Sequence, residues 1–203
     1  MRKGPSVRAL AASMLLTFIL IASMMALAAP AAAAAISKPG FNLPGNVLVT
    51  DQFNNRVIEI NHAGRIAWQY SAGINLAAFA SRLPNGNTLI TDSGNARIFE
   101  VTPQRNVAFT YFTNTSENSN PNPLPTNAVR LRDGGTMIAD QFNHRVFKID
   151  ANKDIVWQYG MTNVVGNTPG LLNAPYTAFV IGDYTGQTVP PGTVFGVQMI
   201  PAD

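Results

Sequence analysis

The sequence predicts an all-β fold made of one repeated unit, and three observations support this prediction. A motif of the form Asp-x-x-Asn-x-Arg, followed by an apolar run, occurs at residues 51–60, 92–101 and 140–149, with copies that begin 41 and 48 residues apart. The residues around each copy alternate between polar and apolar with a period of two, as in half-buried strands. Turn-forming residues are frequent, and no segment has the pattern of an amphipathic helix. Such a repeat indicates one supersecondary unit used as an array.

Each repeat contains four predicted strands of about five residues. The first strand precedes an Asn-Gly or Asp-Gly pair, and these dipeptides favour hairpins because both residues tolerate positive φ. The second strand leads to the motif Asp, and the third follows the motif Arg. The fourth ends in aromatic residues, at 66–70, 107–111 and 155–159, and period-two alternation directs one aromatic set inward in every copy. Four short antiparallel strands per repeat are the pattern of a β-propeller blade.

We therefore predict an all-β, β-propeller fold of four-stranded antiparallel blades, with three full repeats and a partial fourth. The repeats cover approximately residues 45–70, 78–111, 127–159 and 175–203. Residues 175–181 match 125–131 at an offset of 50 and open the fourth unit, whereas the first unit lacks a clear innermost strand. Three assemblies agree with this pattern: a small closed propeller, an open array completed by association, and a fragment of a longer protein.

Residues 1–35 are predicted to be a secretory signal peptide. A basic start with Arg2, Lys3 and Arg8 precedes an uncharged apolar stretch and an Ala-rich end, which is the order found in cleaved export signals. An uncleaved anchor is the alternative, because about 20 apolar residues can span a bilayer. The sequence accordingly predicts export to the periplasm or the extracellular space, with one domain at 36–203.

The charge balance after residue 35 argues against several functional classes. All 11 acidic residues and 11 of the 14 basic ones lie there, so this part of the chain is formally neutral. No basic patch predicts a nucleic-acid partner, and membrane contact is expected only through an uncleaved signal segment. The chain has no cysteine, which excludes disulfides and thiolate metal sites, and neither a metal nor a cofactor is predicted.

The motif and its flanking turn resemble the NHL repeat, through the pattern Asn-Gly-x-x-(Leu/Met)-(Ile/Val)-x-Asp-x-x-Asn-x-Arg-(Val/Ile). The Ile-x-Trp-x-Tyr ending is also similar to repeats of arylsulfotransferase-like propellers. The resemblance covers residues 45–181 and implies a propeller, which for NHL proteins means about six blades. It implies no particular activity, although the arylsulfotransferase family uses a histidine nucleophile.

The polar residues of the motif have a functional and a structural interpretation. The three carboxylates could hold a cation such as Ca²⁺, or they could bond the backbone of their own turns; they are Asp51, Asp92 and Asp140. The three guanidinium groups could bind a carboxylate or sulfate, or they could pair with the Asp or with backbone carbonyls; they are Arg56, Arg97 and Arg145. Recurrence in every repeat favours the structural interpretation for both sets.

The chain has two histidines, and His144 is the better candidate for a functional group. It occupies a motif position where the other copies have Asn55 and Ala96, and variation at one repeat position is where a site can arise. It is therefore also the candidate catalytic residue. His62 lies in the predicted hairpin at 61–65, on the opposite face of its blade. The alternative for His144 is an ordinary surface residue, since no carboxylate or second histidine is tied to it.

The motif turns are predicted to form the binding face of the fold. Their residues, together with His144, are the predicted ligand contacts: Gln52, Phe53, Gln141 and Phe142. Each Phe could contact a ligand or instead plug the edge of its own blade. The long loops 113–124 and 161–173 are expected on the same face, and function in such scaffolds gathers in loops.

The sequence predicts an exported module that binds or scaffolds an unidentified protein or small ligand. This hypothesis rests on repeats that carry no convergent catalytic set. One alternative is a propeller enzyme that resembles arylsulfotransferases or lyases, with His144 in a catalytic role. A second alternative is a fragment of a larger propeller protein.

Overall fold

The computed structural model describes residues 40–183, and strands are the main regular secondary structure in this range. Within it, no helix is long and apolar enough to cross a membrane. Three 3-10 helices occur, at Gln52–Asn54, Ser93–Asn95 and Gln141–Asn143. The strands are β1 (Val47–Asp51), β2 (Arg56–Ile60), β3 (Ile66–Tyr70), β4 (Ala77–Arg82), β5 (Thr88–Asp92), β6 (Arg97–Val101), β7 (Val107–Phe112), β8 (Pro125–Arg130), β9 (Thr136–Asp140), β10 (Arg145–Ile149) and β11 (Ile155–Tyr159).

The strands form three antiparallel sheets in which neighbours in sequence are neighbours in space. The first sheet has the order β1-β2-β3, the second β4-β5-β6-β7, and the third β8-β9-β10-β11. The predicted four-stranded repeat is confirmed in the second and third units. The first unit has three strands among the described residues, because no strand there precedes β1. Consecutive meanders of this kind have the form of propeller blades, and we call them the first, second and third blades.

The hairpin that follows each motif strand has the same backbone in all three blades. One residue in each turn is left-handed, with φ of 71° at Gly64, 72° at Arg105 and 74° at Lys153. Glycine adopts this conformation without steric cost, whereas Arg and Lys do not. The first and third turns are fixed by Asn61 and Asp150, whose side-chain oxygens each accept two backbone N–H bonds from the turn. Turn geometry thus overrides the preference of the individual residue.

The core lies between the blades rather than within any one sheet. One cluster joins the first blade to the second; its buried members are Val57, Trp68, Tyr70, Ile74, Ala77, Ile90, Phe99 and Val101. A second cluster joins the second blade to the third; its buried members are Leu83, Leu89, Ile98, Ala128, Ile138, Phe147 and Ile149. Burial of these apolar side chains is the main force that stacks one blade on the next.

The aromatic ends of the blades become more exposed along the chain. Trp68 and Tyr70 of the first blade are 4% and 5% exposed, whereas Trp157 and Tyr159 of the third are 48% and 43% exposed. The second blade is intermediate, with Tyr111 half-buried. The prediction that the aromatic set faces inward in every copy is therefore wrong for the third blade. The following blade covers the aromatic strand of its predecessor, and none of the described sheets follows the third.

The start of the predicted fourth unit lies beside the innermost strand of the third blade. The Thr126 hydroxyl donates to the Tyr176 carbonyl at 2.6 Å, and the Ala178 N–H donates to Asn127 Oδ1 at 3.5 Å. Up to residue 183 this segment has an isolated bridge, Val180 with Asp183, and no strand ladder. The rest of the fourth unit and the predicted signal peptide lie outside the described residues.

Candidate functional site

The motif residues form the same side-chain cluster in every blade. The Arg Nε donates to the Asp carboxylate at 2.7, 2.8 and 2.9 Å in the first, second and third blades. The Asn three residues after the Asp donates to the same carboxylate at 2.8–2.9 Å. Asp and Arg are partners in the strand register, which brings their side chains together. The structural interpretation of the motif Arg is thus confirmed.

The motif Asp does not bond the backbone of its own turn, so that part of the prediction is wrong. None of the three 3-10 helices receives a side-chain cap from its Asp. The Asn and Arg side chains of the motif reach the carboxylate instead. In the second blade, Asp92 also accepts the Asn75 N–H at 2.8 Å, which ties the linker between blades to the cluster. The motif therefore fastens turn, strand pair and linker together.

Each 3-10 helix ends at a residue with left-handed backbone, which turns the chain back into the next strand. These residues are Asn55, Ala96 and His144, with φ of 50°, 51° and 54°. The N–H of each donates to the carbonyl of the first 3-10 residue. Asn tolerates this conformation better than other non-glycine residues. The position that varies between the copies is thus the one that sets the direction of the Arg-bearing strand.

Burial of the cluster increases from the first blade to the third. The side chains of Asp51 and Arg56 are 25% and 33% exposed, whereas those of Asp140 and Arg145 are 0% and 2% exposed. The hydrogen bond from Arg56 lowers the pKa of Asp51. Burial raises the pKa of Asp140, and the charge of Arg145 opposes this effect. The same Asp-Asn-Arg cluster is therefore partly exposed to solvent in the first blade, whereas its ion pair is desolvated in the third blade.

A second repeated ion pair, which the motif analysis missed, links adjacent blades. Arg82 on β4 donates to Glu59 on β2 at 2.6 Å, and Arg130 on β8 donates to Glu100 on β6 at 3.0 Å. Arg82 also lies over the Trp68 ring, with Cζ 4.9 Å from the centroid. Burial lowers the pKa of Arg82, and the charge of Glu59 opposes that shift. The signal in the sequence was an Arg at the same position of the innermost strand in successive blades, Arg82 in β4 and Arg130 in β8.

The third blade has neither partner of this inter-blade pair. Lys148 stands where the other blades have Glu, and Val180 stands where the next inner strand would have Arg, at the offset of 50 from Arg130. The Lys148 ammonium is bonded instead to Asp133, in the turn of its own blade. Among the described residues, the inter-blade ion pair is therefore found at the junction of the first and second blades and at the junction of the second and third blades.

His144 accepts a backbone hydrogen bond, and this bond has a counterpart in the first blade. The Ala174 N–H donates to His144 Nδ1 at 3.1 Å, and the Leu76 N–H donates to Asn55 Oδ1 at 2.9 Å. Both donors belong to linkers and have left-handed backbone, with φ of 49° and 53°. The proton of neutral His144 is therefore on Nε2. His144, the candidate catalytic residue, therefore bonds the linker that follows the third blade, and its role in chemistry stays a prediction.

The other predicted contacts lie on separate blades. Phe53 is 86% exposed on the first blade and Phe142 is 37% exposed on the third, with the whole second blade between them in the array. The Phe142 N–H donates to the Pro123 carbonyl at 2.8 Å, so its turn is tied to the preceding loop. Gln52 and Gln141 open the same two turns and are half-buried. His62 is exposed, and its Nε2–H donates to the Pro44 carbonyl at 3.0 Å.

The two long loops of the third blade meet around the motif turn. Asn143 accepts the Asn120 N–H at its side-chain oxygen at 2.7 Å and the Asn163 N–H at its carbonyl at 2.8 Å. Arg145 Nη1 lies 3.0 Å from Thr162 Oγ1 and 3.4 Å from Ser116 Oγ. The loop between the first and second blades, residues 71–76, is shorter than either of these two loops. The third blade is therefore where the array departs furthest from its own repeat.

A cavity of about 550 Å³ lies between these loops, which we call the loop cavity. Its lining is mostly polar and comprises Glu117, Asn118, Gln158, Met161, Thr162, Asn163 and Val164. A second groove of about 500 Å³, the outer groove, lies along β3 and includes Gln69 and Arg105. Among residues 40–183, no group of three or more acidic or histidine side chains is placed to hold a metal ion.

Comparisons with known proteins find similarity at the level of solved structures. No protein-family model matches the chain, and no curated protein matches it. Virginiamycin B lyase from Staphylococcus aureus aligns with a TM-score of 0.46 and 16% identity over 57% of this chain and 37% of the lyase. BamB from Moraxella catarrhalis aligns with a TM-score of 0.42 and 18% identity, over 62% of this chain and 35% of BamB.

A protein of unknown function from Bacteroides caccae aligns with a TM-score of 0.46 and 18% identity, over 64% of this chain and 47% of the other. The lyase and BamB are β-propeller proteins. The chain spans less than half the length of each of the three structures.

Proposed function

We propose that this chain is an exported β-propeller module with NHL-type repeats, and that it binds a small polar ligand in the loop cavity. The observation that carries the proposal is the polar cavity at the point where the array departs from its repeat. Residues 1–35 support export, because their basic, apolar and small segments follow the order of a signal peptide.

The polar residues of the repeated motif are already bonded to one another and to nearby loops. This supports the loop cavity, rather than the motif, as the ligand site. Arg145 is bonded to Asp140 and to the loops, and it is 2% exposed. The motif cluster of the third blade therefore serves the fold, and its buried charges are unavailable to a ligand. The loop cavity is instead lined by the exposed side chains of Asn118, Asn163 and Gln158, and Gln158 Nε2 donates to the Gly160 carbonyl at 2.9 Å. Its volume is within the usual range of about 300–1,000 Å³ for small-molecule sites.

The chemistry of the lining indicates the class of ligand. Amide and hydroxyl groups can each donate and accept hydrogen bonds, which suits a molecule rich in hydroxyl or amine groups. Glu117 supplies an acidic group, so a cationic or neutral ligand is favoured over an anionic one. Amino sugars, neutral oligosaccharides and polyamines have this chemistry.

Calorimetric titration of the protein expressed from the full reading frame would test the proposal. The probes are an amino-sugar oligosaccharide, its neutral counterpart and a sulfated counterpart. We expect binding of the first two and weaker or no binding of the third. Gln158→Ala and Asn118→Ala should each weaken binding about tenfold, which corresponds to about 1.4 kcal/mol.

Gln69→Ala is the matched control, since Gln69 is the first-blade equivalent of Gln158 and lines the outer groove. Binding that is lost with Gln69→Ala and kept with Gln158→Ala would place the ligand in the outer groove and contradict the proposal. Turnover of a probe that disappears with His144→Ala would favour the enzyme alternative.

A further inference from the structure

The outer groove and the loop cavity differ in charge. Among the described residues that line the outer groove, Arg105 is the charged one, whereas Glu117 is the charged residue in the lining of the loop cavity. The outer groove has a volume of about 500 Å³, which is also within the usual range of small-molecule sites. Because opposite charges attract, the two cavities suit ligands of opposite charge, and the outer groove favours an anion.

The Arg105 side chain is held in place by the neighbouring blade. Arg105 lies in the hairpin turn of the second blade, and its Nε–H donates to the Gln69 carbonyl of β3 at 2.8 Å. Among the described residues, its two terminal Nη groups have no hydrogen-bond partner. Their N–H groups form a planar fork that matches the two oxygens of a carboxylate. Since the Nε bond already restricts the side chain, a ligand loses less free energy by ordering it.

The equivalent cation at the next blade junction is used differently. Lys153 has the same left-handed turn position in the third blade, and its Nζ lies 5.2 Å from the centroid of the Phe109 ring. Phe109 corresponds to Trp68, but the nearby cation at the Trp68 ring is Arg82, at 4.9 Å. Arg105 bonds a backbone carbonyl instead. The turn cation therefore packs on an aromatic ring at the second junction, whereas at the first junction it borders a groove.

Two further polar side chains in the lining are available to a ligand. Gln158 in the third blade donates from Nε2 to the Gly160 carbonyl, whereas its first-blade counterpart Gln69 makes no side-chain hydrogen bond to any described residue. Ser71 stands where the third blade has Gly160, and it adds an exposed hydroxyl group to the groove. Amide and hydroxyl groups can both donate to a carboxylate oxygen or bond another polar atom of the same ligand.

The apolar part of the lining narrows the class of ligand. An exposed ion pair contributes little by itself, because water and salt compete for both charges. Ile66 is 44% exposed in the groove, and the buried Trp68 and Tyr70 line it as well, so an apolar group beside the carboxylate would gain from contact. We infer that the outer groove is a second binding site, which takes a small carboxylate that carries an aromatic or branched apolar group.

A titration followed by nuclear magnetic resonance tests this inference on the protein expressed from the full reading frame. The probe is phenylacetate, and we expect saturable shifts of the Gln69 and Ser71 N–H signals and of the Arg105 Nε–H signal. Phenylacetamide has the ring without the charge, and acetate has the charge without the ring. Each of the two should bind at least about tenfold more weakly than phenylacetate. Binding of either one as tight as that of phenylacetate would overturn the inference.

Variants of Arg105 separate its fork from its charge. Arg105→Gly should fold, because Gly64 has the same left-handed position in the first blade, and it should weaken phenylacetate binding at least about tenfold. Arg105→Lys keeps the charge but lacks the planar fork, so it should also bind more weakly than the wild type. Lys153→Gly is the matched control, which removes the cation from the equivalent turn of the third blade and should bind as the wild type does.

Unchanged binding by Arg105→Lys would overturn the carboxylate assignment, and an equal loss in Lys153→Gly would show that general charge, rather than the groove, attracts the probe. Neither position lines the loop cavity. Failure of this inference and failure of ligand binding in the loop cavity are therefore separate results.

Discussion

Asn55 and His144 accept the same backbone hydrogen bond in two different blades. Asn55 Oδ1 receives the Leu76 N–H and His144 Nδ1 receives the Ala174 N–H, each from the linker that leads out of its blade. Both residues also end a 3-10 helix with φ near 50°. His144 differs from the residues at this position in the other two copies, yet it makes the same contact as Asn55 in the first copy. Its side chain differs, but the acceptor lies at the corresponding place.

Replacement of His144 by Asn should leave stability nearly unchanged, whereas His144→Ala should lower it by about 1 kcal/mol, the usual net value of one hydrogen bond. The physical reason is that Asn supplies the same acceptor and tolerates left-handed backbone. Urea unfolding of the three proteins measures the difference, and amide exchange at Ala174 shows whether the linker is released. If His144→Asn were as unstable as His144→Ala, the shared hydrogen bond would not explain the contribution of residue 144 to stability.

Asp140→Asn should destabilise the fold far more than Asp51→Asn. The Asp140 side chain is fully buried, and its loss leaves the Arg145 guanidinium desolvated without a counter-charge. Breaking a buried pair in this way costs about 3–5 kcal/mol. Asp51 is partly exposed, and water can solvate Arg56 after the substitution. Thermal unfolding of the two variants provides the comparison, and equal losses would contradict the burial gradient.

Much of the fold could be predicted because turns and alternation are local properties. The hairpin at 61–65 and the strand that ends at Tyr70 follow from residues close together in the sequence. The lack of a strand before β1 within residues 40–46 was visible for the same reason. The exposure of Trp157 was not predictable, because it depends on whether another blade follows, and the local pattern is identical to that around Trp68.

The candidate site could be predicted only in part. The long loops 113–124 and 161–173 were predicted to share one face of the fold, and a cavity lined by residues such as Asn118 and Thr162 lies between them. The predicted contacts at Gln52 and Phe53 belong to another blade, since equivalence in a repeat does not mean proximity in space. The Arg82–Glu59 pair joins residues 23 positions apart and carries no motif of its own.

Arg82→Leu should be strongly destabilising, by about 3–5 kcal/mol, because Glu59 would stay buried without its cation. The double variant Glu59→Gln/Arg82→Leu should recover part of that loss, since no unpaired charge remains. Guanidinium unfolding of the wild type, both single variants and the double variant gives the coupling free energy. If the stability losses of the two single variants summed to the loss of the double variant, Arg82 would act by packing on the Trp68 ring rather than through the ion pair.

Acid should weaken the fold partly through Asp133. The hydrogen bond from Lys148 is the main reason that the pKa of Asp133 lies below the ordinary value of an aspartate. A carboxyl group with a lowered folded pKa contributes stability above its unfolded pKa, and that contribution is lost as the pH falls through the folded pKa. Asp140 acts in the opposite sense, because burial raises its pKa and its ionisation opposes folding as the pH rises.

The test compares urea midpoints of the wild type and Asp133→Asn between about pH 5 and about pH 3. We expect the urea midpoint of the wild type to fall more than that of the variant over this range. The two plots of midpoint against pH should therefore converge in acid. Lys148→Met should flatten the wild-type curve in the same way, since it removes the partner that lowers the pKa of Asp133. A variant curve that falls in parallel with that of the wild type would assign the acid sensitivity to other carboxylates, of which Asp51, with its pKa lowered by Arg56, is the first to examine.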